Sequence, residues 1–232
     1  MNLIRKNAIL TGVLFLLGFT GAITAAITKP ILGSSDYLVM ISANENTIIS
    51  GVFFTLIMAF ACAGIAISLY PVLKKYSEGL ALGSVGFRII EAMLEIVSAI
   101  CLILLLTLSQ EFVKAGATAS SYFQTIGAIL MSLQDWVGNV YLIPWCIGAL
   151  MYYFIFYQTR LIPRWLSGWG LVAATVCLVS SFLVIFRVIT PFGAIQIFTN
   201  APIGLQELVL AVWLIFKGFN PSAIASLSAR NI

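Results

Sequence analysis

Arg88, Glu91 and Glu95 stand three and four residues apart inside "GFRIIEAMLEIVSAICLILLLTL" (86–108), a stretch otherwise made mostly of Ile, Leu, Val, Ala and Met. A guanidinium and two carboxylates at that spacing can do three kinds of chemistry. They can pair with one another, hold a cation or a proton, or pass protons to and from a substrate. At about 100° per residue the three fall within an arc of about 60° and share one helix face. Ser84 and Ser98 extend the same polar line. A further acid, Glu207, lies in another apolar run, "APIGLQELVLAVWLIFKGF" (201–219), and Asp135, Asn139 and Arg187 stand near the outer ends of two more.

The elements that carry these charges are set by composition. The chain is 61% hydrophobic and only 9% charged, against about 25% charged in soluble domains, and its mean hydropathy is +1.08. Apolar runs of about 20 residues recur along its length, which is the pattern of membrane-spanning helices. The short alternating segments of a β-barrel are absent. The fold class is therefore all-α, a polytopic membrane helix bundle forming a single integral membrane domain of about six spans. The spans are expected at 8–28, 47–70, 84–108, 136–158, 165–189 and 201–219. Between the third and fourth, Tyr122, Ile126, Ile129, Leu133 and Trp136 recur at helical spacing in a polar interval. That stripe predicts a short interfacial amphipathic helix. Pro71 is expected to stop the second span, Pro144 to kink the fourth and Pro202 to sit near the start of the sixth.

With an even number of spans, both termini share a side with the 2–3 and 4–5 connections. That side carries Arg5, Lys6, Lys74, Lys75, Arg160, Arg164, Lys217 and Arg230, against Lys29 and Lys114 on the other. The imbalance places the N-terminus and C-terminus in the cytoplasm. The net charge of +4 comes from basic residues in ones and twos at span ends, with no nucleic-acid module. The partner is the lipid bilayer. Cys62, Cys101, Cys146 and Cys177 fall in four different apolar runs without CxxC spacing, and read as small core hydrophobes. There is no histidine, the commonest metal ligand and general base. No cofactor, metal ligand or catalytic residue is assigned.

At about 1.5 Å per residue, Glu91 lies about 10 Å and Glu95 about 16 Å inside the cytoplasmic interface, and Glu207 within about 5 Å of Glu95 in depth. Facing lipid would cost about 2.5–3.5 kcal/mol per charge, so the charged face points into the bundle. One reading is pairing: Arg88 with Glu91, Arg187 with Glu207, and Glu95 as a neutral acid bonded to a neighbouring helix. The protein would then be a non-transporting interaction, immunity or sensor protein. The other begins from the sum of Arg88, Glu91 and Glu95, which is −1 with all three ionised. A proton, a cation or a substrate amine would supply the missing charge. On this leading expectation a small molecule or ion is bound or transported through a polar cavity of Arg88, Glu91, Glu95 and Glu207. A distant third is an intramembrane enzyme acting on a lipid-like substrate, for which HExxH, GxSxG and paired-Asp motifs are all missing.

The segments "SLYPVLKKYSEGLALGSVGFRIIEAML", "YQTRLIPRWLSGWGL" and "NAPIGLQELVLAVWLIFKGFNPSA" together resemble a bacterial integral-membrane family catalogued as domain of unknown function 4386. The resemblance is carried by Arg88 and Glu91 in "FRIIEA", by Pro163, Arg164 and Trp165 in "LIPRWL", and by Glu207, Trp213, Lys217 and Gly218 in "QELVLAVWLIFKGF". It implies a six-helix protein of the bacterial cytoplasmic membrane and supplies no activity. Glu95 is outside those motifs, and its role rests on geometry.

Overall fold

In lipid a chain must satisfy its backbone N–H and C=O groups internally, which favours helices wherever an apolar run is long enough. The computed structural model describes residues 3–116 and 120–229, and these form helices with no strand among them. In chain order they are α1 (Leu3–Gly18), α2 (Thr20–Leu32), α3 (Tyr37–Ala43), α4 (Glu45–Leu73) and α5 (Glu78–Ala115). There follow α6 (Ser120–Val140), α7 (Leu142–Thr159), α8 (Arg164–Ile185), α9 (Ala194–Phe216) and α10 (Pro221–Ala229). Six stretches are long and apolar enough to cross a membrane: α1 with α2, α4, α5, α6 with α7, α8 and α9. Arg230, counted above among the basic residues of the cytoplasmic side, lies outside the described residues.

The long helices close a ring. α1 packs on α4, α4 on α5, α5 on α7, α7 on α8, α8 on α9, and α9 returns to α1. The closing contact is tight at Gly12, where a Cβ would meet the Ala211 carbonyl oxygen at 2.7 Å. Glycine lets the two backbones approach there, as small residues do between membrane helices. Arg5 secures the same joint by donating to the carbonyls of Leu214 (2.9 Å), Ile215 (2.5 Å) and Phe216 (3.2 Å) at the end of α9. Those carbonyls have no partner further along the helix. The core between α7, α8 and α9 is built on Tyr152, Tyr153, Phe156 and Leu210. Large apolar side chains such as Phe60, Phe198 and Phe216 point outward, as lipid contact requires.

Several boundaries differ from the expectation, each for a physical reason. Pro71 lies inside α4, which runs on to Leu73; the proline removes one bond, to the Ile67 carbonyl, but its fixed φ is helical and the chain continues one more half-turn. Pro202 stands in the interior of α9, since that helix begins at Ala194 rather than near 201. Around Pro144 the break falls at Tyr141, and the proline sits in the first turn of α7, where its missing N–H is least costly. The stripe from Tyr122 to Trp136 lies in α6, a helix of 21 residues rather than a short one. α6 leads into α7 within one run, Ser121–Thr159. The fifth span stops at Ile185, short of the expected 189. Arg187 then takes a left-handed φ of 59° in an exposed turn, so it stands outside the helix where it was placed.

α5 owes its start to Ser77, whose hydroxyl accepts from the Leu80 N–H at 3.4 Å, an N-cap. From there it runs 38 residues. In the turn before α8, Arg160 adopts φ 55°, and Pro163 is the residue before the first turn of α8.

Candidate functional site

Arg88, Glu91 and Glu95 project from α5 into the ring, and each is only 1–2% exposed. Arg88 Nη1 lies 3.1 Å from Glu91 Oε2, one turn along the same helix. Its Nε donates to the Cys62 carbonyl of α4 at 3.2 Å. Space for the guanidinium stem comes from Gly148 on α7, where a Cβ would lie 3.1 Å from Arg88 Cγ. The Arg88 guanidinium is thus held by α5 and α4, and its stem lies against α7.

Glu95 is partnered on one oxygen only. The Cys62 thiol donates to its Oε1 over 3.7 Å, a weak contact. Its Oε2 is buried and has no hydrogen-bond partner. A buried acceptor without a partner costs about 1–3 kcal/mol, and native interiors rarely carry one without a reason.

Glu207 reaches the same space from α9. Trp145 donates its indole N–H to Glu207 Oε1 at 3.3 Å, and the Tyr152 hydroxyl donates to that oxygen at 3.4 Å. Next to it, Tyr153 donates to Gln206 Oε1, and Gln206 donates in turn to the Leu166 carbonyl of α8 at 3.0 Å.

Arg88, Glu91, Glu95, Cys62, Trp145 and Glu207 line one cavity of about 140 Å³. α5 contributes Arg88, Glu91 and Glu95, α4 contributes Met58, Cys62 and Ile65, and α9 contributes Gly204 and Glu207. The rest of the wall comes from two places where a helix is interrupted. Phe15, Gly18 and Phe19 flank the α1–α2 break, and Tyr141 and Trp145 flank the α6–α7 break. At the first break the Phe19 N–H bonds to the Leu16 carbonyl at 3.1 Å, one residue short of the usual helical partner. Discontinuous helices beside a buried polar space are a recurrent device of membrane transport proteins.

The other sequence candidates lie elsewhere. Arg187 makes no ion pair with Glu207; among the described residues the ion pairs are Arg88–Glu91 and Lys114–Glu111. Ser98 accepts from Gln134 of α6 at 2.7 Å. Asn139 accepts from Gln196 at 2.6 Å and donates to the Asp135 carbonyl at 2.9 Å. That second set ties α6 to the start of α9 and leaves the Asp135 side chain exposed.

The sequence reading missed Cys62, Tyr141, Trp145 and Tyr152. Cys62 passed for one more small apolar residue in a run of Ala and Gly. The aromatics passed for core and interfacial anchors. A Trp and a Tyr seven residues apart on α7 do share a face, but only the closed ring, which brings the Glu207 side chain of α9 across to them, gives that face an acid to bond.

A family model for "Domain of unknown function (DUF4386)" matches residues 10–218. The chain belongs to this family. Within DUF4386, the matched region takes in every described residue of the cavity wall. No curated protein and no solved structure gives a significant match.

Proposed function

We propose that this DUF4386 protein binds a small cation, or moves it across the bilayer, through the cavity between α1, α4, α5, α7 and α9. The observation that carries the reading is Glu95 Oε2, a buried and unpartnered carboxylate oxygen on the wall of a polar cavity. The charge balance points the same way. Arg88 contributes +1 and Glu91, Glu95 and Glu207 contribute −3 if ionised, a sum of −2 on one wall. A cation relieves that excess, whether it is a proton, a metal ion or an amine. Phe15, Phe19, Tyr141 and Trp145 also stand on the wall, and aromatic residues are common neighbours of bound cations.

The basic residues support an orientation with both ends in the cytoplasm of a bacterial cell. Arg187 now joins Lys29 and Lys114 on the outer side, and the excess on the inner side persists. The bond from Arg88 Nε to the Cys62 carbonyl of α4 also supports a rival: a protein whose buried charges are only structural and fix α5 against α4.

The purified protein in detergent, titrated with sodium, methylammonium and zinc chloride and with protons as a pH series, separates the two. The cation reading expects at least one of these probes to raise Tm, and Glu95→Gln to abolish the rise. Glu111→Gln, an exposed control, keeps it. Indifference of the wild type to every probe contradicts the reading.

A further inference from the structure

Cys62 is a wall residue whose chemistry the cation reading leaves unused. Its Sγ and one carboxylate oxygen each from Glu91 and Glu95 lie within 4.8 Å of one another, and all three residues are buried. The three come from two helices that pack along their length, α4 and α5, so their backbones are already fixed. Glu91 and Glu95 stand one turn apart on α5, the spacing that lets two side chains reach one ion.

We propose that Cys62, Glu91 and Glu95 hold a thiophilic divalent transition-metal ion, of which zinc is the type. The proposal rests on the cation reading of the cavity and names the class of ion. Two observations beyond the clustering, an unpartnered buried oxygen and an adjoining cavity, support it, and a contact inside the cluster agrees. Glu95 Oε2 is unpartnered while its residue is 1% exposed. The thiol already points at Glu95 Oε1. The cavity lies against all three groups and provides room for a fourth ligand, a water or a substrate atom.

Charge selects the valence. Arg88 is neutralised by Glu91 through the 3.1 Å contact. The Cys62 thiolate and the Glu95 carboxylate then supply two negative charges at the ligand atoms, which a divalent ion cancels, while Glu207 keeps its own donors, Trp145 and Tyr152. Binding breaks the Cys62 S–H bond, forms an S–metal bond and releases one proton to solvent, with no change of oxidation state. Sulfur selects the type of ion. Sodium, magnesium and calcium take oxygen ligands, whereas a thiolate favours zinc and its softer neighbours. Tetrahedral zinc sites with bonds of about 2.0–2.3 Å place their ligand atoms ~3.3–3.8 Å apart. The three groups therefore close inward by about 1 Å at the widest pair, within reach of the Glu side-chain torsions.

The test uses the full-length protein in detergent, stripped with a chelator and titrated with cadmium and cobalt as spectroscopic stand-ins for zinc. The proposal expects one ion per chain, thiolate-to-metal charge-transfer absorption, and release of one proton per ion. Cys62→Ser loses the absorption, and Glu95→Gln weakens binding by more than the about 10–100-fold that changes around a metal site typically cause. Cys101→Ser and Cys146→Ser keep both signals. Glu95→Gln, isosteric and uncharged, keeps the test decisive if Cys62→Ser does not fold. Binding without thiolate absorption, or absorption that survives Cys62→Ser, overturns the metal assignment. If methylammonium or protons still shift Tm through Glu95 while cadmium does not bind, only this inference falls. If no probe acts, the cation reading falls with it.

Discussion

Arg88 Nη1 lies 3.1 Å from Glu91 Oε2 with both side chains at most 2% exposed, while Glu95, one turn further on, has an oxygen with no partner. One carboxylate on the α5 face is matched by the cation beside it, and the next is not. That difference separates a structural pair from a candidate binding group.

The pair itself makes a stability prediction. Removing one member leaves the other buried and unmatched, which typically costs about 3–5 kcal/mol. Arg88→Met and Glu91→Leu are each expected to lower Tm strongly. The double variant is expected to recover most of the loss, because two apolar side chains of similar volume replace a desolvated pair. A double-mutant cycle on thermal unfolding in detergent measures it. Additive losses contradict the pairing.

Gly148 has a specific role next to that pair. A methyl group added there would crowd Arg88 Cγ at 3.1 Å and Cδ at 3.3 Å, closer than most carbon contacts. Gly148→Ala is expected to cost about 1–3 kcal/mol, the usual range for overpacking, and to shift Arg88 relative to Cys62. The same substitution in the Arg88→Met background is expected to cost less, since a Met stem yields more readily. Equal costs in both backgrounds contradict the contact.

Tyr153 and Gln206 make a prediction about α7 and α9. Both are buried and bonded to each other. Gln206→Leu leaves the Tyr153 hydroxyl without its acceptor and is expected to cost about 1–3 kcal/mol. Adding Tyr153→Phe is expected to restore part of it. Thermal unfolding of the three variants decides the point.

Orientation can be checked by labelling. A cysteine at Arg187 is expected to react with a membrane-impermeant maleimide added to intact cells. A cysteine at Lys74 is expected to react only after the membrane is opened. The four native cysteines are buried and give little background. The reverse pattern contradicts the inside placement of both ends.

Six spans were legible in the sequence because hydropathy over about 20 residues is a local property. So was the inward α5 face, since helical periodicity and the cost of charge in lipid suffice to place it. The span ends were less legible. "FLVIFRVITPFG" stays apolar past Ile185, so composition carried the fifth span beyond the left-handed turn at Arg187 that ends it. Proline positions misled for the same reason: a proline marks where a hydrogen bond is lost, not where a helix stops. The partners of Glu95 and Glu207 were not legible at all. Cys62, Trp145 and Tyr152 come to these acids only through the ring order of α4, α5, α7 and α9, which is set by packing between distant segments.

The central claim is that Glu95 meets a cation in the cavity, and infrared difference spectroscopy tests it most directly. Sodium, methylammonium or zinc chloride is added to purified protein in lipid, and the carboxyl bands are compared before and after. The account predicts a difference band for at least one probe that is present in the wild type and in Glu111→Gln and missing in Glu95→Gln. Difference spectra identical in the wild type and Glu95→Gln, for every probe, would contradict it.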